Sequence, residues 1–290
     1  MQGYESEYKV LQPSDDLARR RQYWSLAKGL QKTDGLVTTD YLEGLIEETL
    51  TGDLSLTDAK QALSRHYSGV AYGTAAAADM EADIVAARIV GLLETDDFIF
   101  SPVLLKSIHK RLFADVLSFD WVGTWRTENI FKEQEILNGR SLRHANYDEI
   151  DDYLAFDFAQ EKGAVYTLPF DEAQIKRLAE FISAIWQTHP FREGNTRTIA
   201  TFLIKYLKNM GVEITNEPFA QHSDWFRDAL VRHNFADVSK GVNPEPKFLT
   251  LFFENILLDA NHDLPSCDMT CPPLFEEKVS RGKDGIPVLQ

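Results

Sequence analysis

Cysteine is nearly absent from this sequence. Only Cys267 and Cys271 occur among its 290 residues. A fold held by disulfides is therefore excluded, and no second pair of Cys or His residues stands nearby to complete a metal site. The pair is predicted to be two reduced surface thiols of a cytoplasmic protein.

Basic residues are also few compared with acidic ones: the chain has 30 Lys and Arg and 45 Asp and Glu, which gives a formal net charge of -15. A negative field of this size repels nucleic acid and anionic lipid, so neither is predicted as a partner. Apolar runs long enough to span a bilayer are missing, and the polar start, residues 1–7, has no secretory signal pattern. A location in the cytoplasm without a membrane partner is expected.

Hydrophobic residues make up 44% of the chain. Many of them recur at helical spacing, whereas sequence patterns typical of strands are few. The periodicity predicts an all-α protein. Three helices are expected over 14–67 as one small module, followed by a connector at 68–79 and a helix over 80–93. Further helices are predicted from Ser101-Pro102, over 171–189 with a capping box at Asp171 and Gln174, and over 196–210, 223–233 and 246–258.

One segment predicts a β-hairpin. Asn138-Gly139 follows Leu137 between short flanks that contain apolar residues, and Asn-Gly is a strong signal for a tight turn. The turn is either a plain surface feature or a flap beside an active site, and spacing alone leaves both open.

The loop 190–195, between two strongly amphipathic helices, has the composition of a phosphate site. Gly194 and Asn195 tolerate positive φ, so successive backbone N–H groups are able to point at one anion. The N-terminus of the following helix and Arg197 in its first turn add positive potential at the same place.

Two residues of this segment predict chemistry beyond binding. Glu193 beside a phosphate site is explained by a bridging Mg²⁺, and His189 has the ordinary pKa of a general base. Taken singly, His189 would be a core or capping residue that continues the spacing of Ile182 and Ile185, and Glu193 a surface carboxylate. The combination favours an active site.

The segment His189-Pro190-Phe191-Arg192-Glu193-Gly194-Asn195-Thr196-Arg197 resembles the signature of the Fic family, His-x-Phe-x-Asp/Glu-Gly-Asn-Gly-Arg-x-x-Arg. Upstream residues resemble the same domain, namely Ile108-His109, Leu112-Phe113-Ala114-Asp115, Trp121 and Arg126-Thr127-Glu128-Asn129-Ile130. The resemblance implies a Fic-type helical bundle with a small β-hairpin flap over 99–260, followed by a C-terminal tail, 261–290.

Fic enzymes mostly transfer AMP from ATP to a Ser, Thr or Tyr hydroxyl of a target protein. The resemblance implies ATP and a target protein as partners, Mg²⁺ as cofactor, and possible self-modification. It makes His189 the base and Glu193 the metal ligand. The other implied roles are phosphate binding by Gly194, Asn195, Thr196 and Arg197, and target alignment by the flap residues Leu137, Asn138 and Gly139.

Two positions depart from the family pattern. Thr196 stands where the pattern has its second glycine, and Ala200 where it has its final arginine, which normally contacts the terminal phosphate of ATP. The missing arginine implies weaker ATP binding, another nucleotide, or replacement by a basic residue such as Arg192.

The three-helix module resembles the small antitoxin-like domain that accompanies many Fic proteins, and the likeness is carried by residues 24–36. Such modules block the phosphate site with an acid in a Ser/Thr-x-x-x-Glu-Gly/Asn motif. Glu43, in Thr39-x-x-x-Glu43-Gly44, is the first inhibitory candidate and Asp34 the second. Three functions stay open: an autoinhibited protein adenylyltransferase, a de-AMPylating phosphodiesterase that uses the same loop, and a catalytically silent nucleotide-binding or scaffold module.

Overall fold

The computed structural model describes residues 13–71, 73–212, 217–265, 269–275, 280–281 and 287–288. Helices dominate these residues, and the all-α prediction is confirmed. The strands are β1 (Ser280–Arg281) and β2 (Pro287–Val288), which pair antiparallel near the end of the chain. Among the described helices, none combines the length and the apolar composition that a bilayer span requires.

The α-helices are α1 (Pro13–Gln31), α2 (Asp40–Thr51), α3 (Leu56–His66), α4 (Ala75–Leu93), α5 (Pro102–Phe113), α6 (Ile150–Lys162), α7 (Glu172–Thr188), α8 (Asn195–Asn209), α9 (Glu217–Gln221), α10 (Ser223–Asn234), α11 (Lys247–Leu258) and α12 (Pro272–Phe275). Short 3-10 helices lie at Lys32–Asp34, Phe119–Trp121, Glu135–Leu137, Tyr147–Glu149 and Val238–Lys240.

The helices form two compact units. The first unit contains residues 1–124 and 196–223, and the second contains 125–195 and 224–290. The predicted three-helix module is part of the first unit, where α1 packs on α4 and α9 and α3 packs on α4. The limits of the module, 14–67, and of the connector with its helix, 68–98, follow from periodicity and composition, and the limits 99–260 and 261–290 follow from sequence resemblance. All four stay predictions.

A close helix contact in the first unit requires glycine. A Cβ atom at Gly29 of α1 would lie 2.3 Å from the carbonyl oxygen of Phe219 and 2.5 Å from Cα of Ala220. The hydroxyl of Ser223 donates to the carbonyl of Gly29 at 2.5 Å, which closes the same contact with a hydrogen bond. Any side chain at Gly29 would push α1 away from α9.

A buried carboxylate joins three helices of the first unit. Asp83 of α4 is fully buried and accepts from the backbone N–H of Thr39 at 2.9 Å and from its hydroxyl at 2.6 Å. The Tyr67 hydroxyl, just after α3, donates to the same carboxylate at 2.6 Å. Thr39 is also the N-cap of α2, so Asp83 fixes the start of α2 and the end of α3 to α4.

In the second unit, α7 confirms the strongest sequence prediction. Its capping box at Asp171 and Gln174 is present, and its stripe Ile175, Leu178, Ile182 and Ile185 is fully buried. The stripe packs within a bundle in which α7 contacts α6 and α11.

Two elements differ from the predictions. Helix α6 was not predicted, although Ile150, Leu154 and Phe158 recur every four residues and are all buried; the acidic residues between them weaken the amphipathic pattern. Cys271 was predicted to be a surface thiol, and this is wrong because it is buried, and burial raises its pKa. Cys267 lies outside the described residues.

Candidate active site

The polypeptide turns sharply at His189. Helix α7 ends at Thr188, and His189 is its C-cap with φ 50° and ψ 60°. This left-handed conformation is uncommon for a residue with a side chain and is kept only where the surroundings hold it. The side chain of His189 is consequently fixed at the C-terminal end of α7.

Arg126 holds this turn through backbone carbonyls. Its Nε donates to the carbonyl of His189 at 2.8 Å, one terminal nitrogen donates to the carbonyl of Thr188 at 3.3 Å, and its backbone N–H donates to the carbonyl of Pro190 at 2.9 Å. The same guanidinium also donates to the carbonyl of Ala145 at 2.5 Å. Three consecutive carbonyls of the strained turn therefore depend on one buried arginine.

The hydrogen bond at His189 Nδ1 defines which ring nitrogen is basic. Nδ1 lies 3.2 Å from the carbonyl oxygen of Trp186, and because a carbonyl only accepts, Nδ1 carries the proton. In the neutral ring, Nε2 then keeps a lone pair and is able to accept a proton. This is the tautomer that a general base requires.

Burial keeps His189 neutral. It lowers the pKa of His189 well below 6.5, and the neighbouring side chains of His144, Lys132 and Arg126 act in the same direction. The His144 ring stacks on His189 with centroids 4.2 Å apart, and burial lowers its own pKa to about 4. Nδ1 of His144 binds the carbonyl of Gln187 at 3.1 Å.

The amide of Asn195 closes the loop after His189. Its Oδ1 accepts from the backbone N–H of Phe191 at 2.9 Å, and its Nδ2 donates to the Phe191 carbonyl at 2.8 Å. The positive φ values of this segment belong to His189 and Gly194, not to Asn195, which begins α8. Because the side-chain amide of Asn195 binds the backbone of Phe191, the backbone N–H of Asn195 is the group that would contact a phosphate.

The charged residues of the loop lie at the surface. Glu193 and Arg192 are both exposed, and Arg192 pairs with Glu128. Gly194 has φ 72°, a backbone conformation that a larger residue would adopt only with strain. An exposed carboxylate next to this glycine suits a metal ion that also binds a nucleotide.

In the first unit, Arg197 is surrounded by acceptors. It is 1% exposed, and its Nε lies 2.8 Å from Oδ2 of Asp34. One terminal nitrogen binds Glu81 at 2.5 Å and the other binds Oε1 of Gln31 at 3.1 Å. The guanidinium also lies 4.8 Å from the ring centre of Phe113. We name Asp34, Glu81 and Gln31 the arginine cage.

The two inhibitory candidates occupy different places. Asp34 belongs to the arginine cage, whereas Glu43 pairs with Lys28 at 2.5 Å and has a side chain that is 44% exposed. Glu81 was not a sequence candidate and completes the cage from α4.

The Asn-Gly turn forms, with φ 52° at Asn138 and 76° at Gly139. The residues around it make a single antiparallel bridge between Gln134 and Arg140 instead of two strands. Leu137 is fully buried, and the side-chain amide of Asn138 donates to the carbonyl of Leu274 at 2.9 Å. The turn is thereby attached to α12, in the segment predicted to be a tail.

Residues 99–207 match the model of the Fic/DOC family. The protein contains a Fic domain. The resemblance carried by the segment from His189 to Arg197 is therefore confirmed, since the match includes it. The antitoxin-like resemblance of the N-terminal module lies outside the match and stays a prediction.

A curated protein from Bartonella is similar to this chain. The protein adenylyltransferase VbhT of Bartonella schoenbuchensis is 27% identical over 161 residues, which are 48% of this chain and 32% of VbhT. The chain thus spans about a third of the length of this curated relative.

Solved structures that are similar to the chain include two Bartonella proteins. The N-terminal FIC domain of Bep8 from Bartonella sp. 1-1C has 18% identity and a TM-score of 0.49, covering 66% of this chain and 88% of that one. BepC from Bartonella tribocorum, with bound AMPPNP, has 18% identity and a TM-score of 0.44, covering 59% and 81%.

Sequence patterns missed part of the Fic site. Arg126 is indicated only by the upstream resemblance, and no sequence pattern assigns a site role to His144, Glu81 or Gln31. Arg126 follows Trp125, whose ring lies 5.0 Å from Phe191, so an aromatic-arginine pair before the motif was an available signal. His144, Glu81 and Gln31 carried no local signal, because their roles depend on contacts between distant segments.

The arginine that holds the Fic turn is expected to be essential for its shape. Arg126→Lys keeps the charge but leaves buried carbonyls without donors, which costs about 1–3 kcal/mol for such groups. We expect a loss of about 2–3 kcal/mol in the free energy of unfolding, measured by urea titration. The NMR signals of the His189 ring should shift as well. Arg177→Lys is the matched control, since its side chain is half exposed; equal stability of both variants would contradict the role of Arg126.

Proposed function

We propose that this Fic protein transfers AMP from ATP to a hydroxyl group of a protein side chain, and that the arginine cage restrains the transfer. The observation that carries the proposal is the His189 tautomer. The Nδ1 proton is committed to the Trp186 carbonyl at 3.2 Å, so Nε2 is the nitrogen that accepts a proton. The name of VbhT, a protein adenylyltransferase, supports the reaction class.

The reaction exchanges one oxygen–phosphorus bond for another. Nε2 of His189 accepts the proton of the target hydroxyl, whose oxygen then bonds to the α-phosphorus of ATP, while the bond from that phosphorus to the bridging oxygen breaks and pyrophosphate leaves. Backbone N–H groups at Gly194 and Asn195, with Thr196 and the guanidinium of Arg197, are the proposed donors to the phosphate oxygens. Arg126 positions the base by fixing its backbone.

Mg²⁺ is compatible with the residues present. In the described part of the chain, no cluster of three or more His, Cys, Asp or Glu side chains is arranged to hold a metal ion. Mg²⁺ in nucleotide sites usually needs only one or two carboxylates besides the phosphates and water, and exposed Glu193 offers one. When bound, the ion would neutralise charge that develops on the phosphates.

Restraint is proposed because Arg197 is engaged with acids. Asp34 and Glu81 bind the guanidinium that ATP would otherwise use, so a nucleotide phosphate competes with two carboxylates. A buried charge is strongly stabilised by such partners, and release requires that they move. At position 200, where the family pattern has its final arginine, this chain has the fully buried Ala200. Arg197 is therefore the pattern arginine that is present, and the restraint would act on it.

Glu193 provides the test that also separates the alternative functions. The protein is incubated with Mg-ATP and its own chain is analysed by mass spectrometry for added AMP. We expect modification in wild type and loss of at least about a hundredfold in rate in Glu193→Gln, because the phosphate charge is then not neutralised. Glu172→Gln, an exposed acid at the start of α7, is the matched control and should retain wild-type modification.

The outcomes are distinct. Equal, Mg²⁺-dependent modification by wild type and Glu193→Gln would place the metal elsewhere. Absence of modification in wild type and in a variant with the cage acids replaced would favour a silent binding module. Removal of AMP from a chemically modified peptide without transfer would favour the phosphodiesterase.

A further inference from the structure

A groove of about 510 Å³ lies within the second unit. The groove is formed by the segment 143–146, by one face of α6 and by the end of α7. Its volume is in the range of binding clefts for a few side chains. We name it the α6 groove.

The α6 groove contains a carboxylate without a partner. Asp157 is partly buried and makes no hydrogen bond or ion pair with any residue that the structure describes. Burial alone raises its pKa to about 6, so the charged form is present at neutral pH but is poorly stabilised. A docked cation would supply the missing partner, because a partly desolvated charge gains more from an opposite charge than an exposed one does.

Exposed aromatic rings lie beside this acid. Tyr153 is 49% exposed and Phe156 is 62% exposed, and both contribute to the groove. Tyr153 lies three residues before Phe156 and four residues before Asp157, and this spacing puts the three side chains on one face of α6. Aromatic faces bind the methylene stem and the charged end of lysine or arginine, and they also bind apolar side chains.

The other charged groups of the groove limit what fits. Glu149 accepts from the side-chain amide of Asn146 at 2.8 Å, so it already has a hydrogen-bond donor. Arg143 also contributes to the groove and makes no ion pair with Asp157. The positive charge of Arg143 disfavours a strongly basic ligand, so a single cation is the better match.

The ring of His144 lies between the groove and His189, the proposed base. His144 forms part of its wall, and the same ring stacks on His189 at 4.2 Å. A polypeptide segment in the groove would therefore lie close to the residue that accepts the hydroxyl proton.

We propose that the α6 groove binds the segment of the target protein that flanks the modified hydroxyl, and that it selects a segment with one lysine or arginine next to an apolar side chain. The inference rests on the proposed AMP transfer, because only that reaction defines a target protein. Binding of such a segment to the groove is nevertheless testable without transfer.

The binding experiment uses a defined peptide. The probe is N-acetyl-Gly-Phe-Lys-Ser-Gly-amide, and its comparison peptide has norleucine in place of lysine. We expect the lysine peptide to shift the NMR signals of Ala145, Ala184 and Gln187, which belong to the groove. Asp157→Asn should weaken its binding by about five- to tenfold, the effect of losing one partly desolvated ion pair. Asp152→Asn, an exposed acid on α6 outside the groove, is the matched control and should change nothing.

A transfer experiment separates this inference from the proposed function. A peptide library with one central Ser, Thr or Tyr and randomised flanks is incubated with Mg-ATP, and AMP-bearing products are sequenced. Enrichment of one lysine or arginine by wild type and by Asp152→Asn, lost in Asp157→Asn, is expected. AMP-bearing products without that enrichment, or equal binding of both probe peptides, would overturn the inference. If no peptide receives AMP, the proposed function fails and the binding experiment alone decides the role of the groove.

Discussion

Replacement of His189 by alanine is expected to lower the rate of AMP transfer by about two to four orders of magnitude, the usual cost of losing a general base. The fold should persist, because Arg126 binds three backbone carbonyls of the turn, whereas the imidazole donates one hydrogen bond, to the Trp186 carbonyl. Nucleotide binding should also persist, since the ring is a proton acceptor and not a proposed phosphate ligand. The measurement is single-turnover transfer to the protein itself or to a modified library peptide.

The pH dependence gives a second check on His189. Because burial holds the pKa of His189 well below 6.5, the imidazole is neutral at neutral pH and in mildly acidic solution. The transfer rate should consequently stay nearly level between about pH 6 and pH 8 and fall only in more acidic solution. His262→Ala, which changes a partly exposed histidine of the same unit, is the control. Near-normal transfer by His189→Ala, or a wild-type profile with a midpoint at the ordinary histidine pKa, would refute the assignment.

Loosening the arginine cage is expected to have the second large effect. In the double variant Asp34→Asn with Glu81→Gln, Arg197 keeps hydrogen-bond acceptors but loses both opposing charges. A phosphate then no longer competes with carboxylates, and we expect ATP affinity and self-modification to rise by about ten- to a hundredfold, since each factor of ten corresponds to about 1.4 kcal/mol. Isothermal titration with ATP and mass spectrometry measure the two quantities.

The same variant should be less stable. Removing the partners of a buried charge destabilises a protein, here by about 3 kcal/mol because amides replace carboxylates and keep part of the hydrogen bonding. Activity and stability should thus move in opposite directions, which a merely damaging substitution does not produce. Glu43→Gly is the matched control: Glu43 is the sequence candidate, yet it pairs with Lys28 at the surface. No gain in ATP affinity or transfer in the double variant would show that Asp34 and Glu81 are structural partners only.

The sequence could predict what depends on local pattern. The buried stripe and capping box of α7 follow from helical spacing. The left-handed turn at His189 was not predicted, because the spacing continues the helix to position 189 and positive φ was expected at Gly194 and Asn195. Helix α6 was missed because Asp148, Glu149, Asp151 and Asp152 surround its first turns and mask the apolar spacing. The missed helix is also the one that carries Asp157.

Sequence could not choose the acid that reaches Arg197. Glu43 matches a motif in letters, but a motif states neither the direction of a side chain nor the packing of the helix that carries it. Asp34 lies in a 3-10 helix that ends at Gly35, which has φ 71°. Glu81 lies on α4, and no sequence pattern relates α4 to Asp34 or to Arg197. The cage exists only after α1 and α4 have packed together.

The buried cluster at Asp83 limits how the N-terminal helices are able to act. Asp83 stands two residues after Glu81 on α4, and its hydrogen-bond donors are Thr39 and Tyr67. Cutting the chain after residue 67 would remove both donors and strip a fully buried carboxylate of every partner that it has in the described residues. Such a truncation would be expected to disrupt the unit that contains Arg197, so its activity would report damage as readily as release. The N-terminal helices therefore behave as an integral layer of the first unit rather than as a detachable cap, and relief of restraint is expected to come from a small local rearrangement around Asp34.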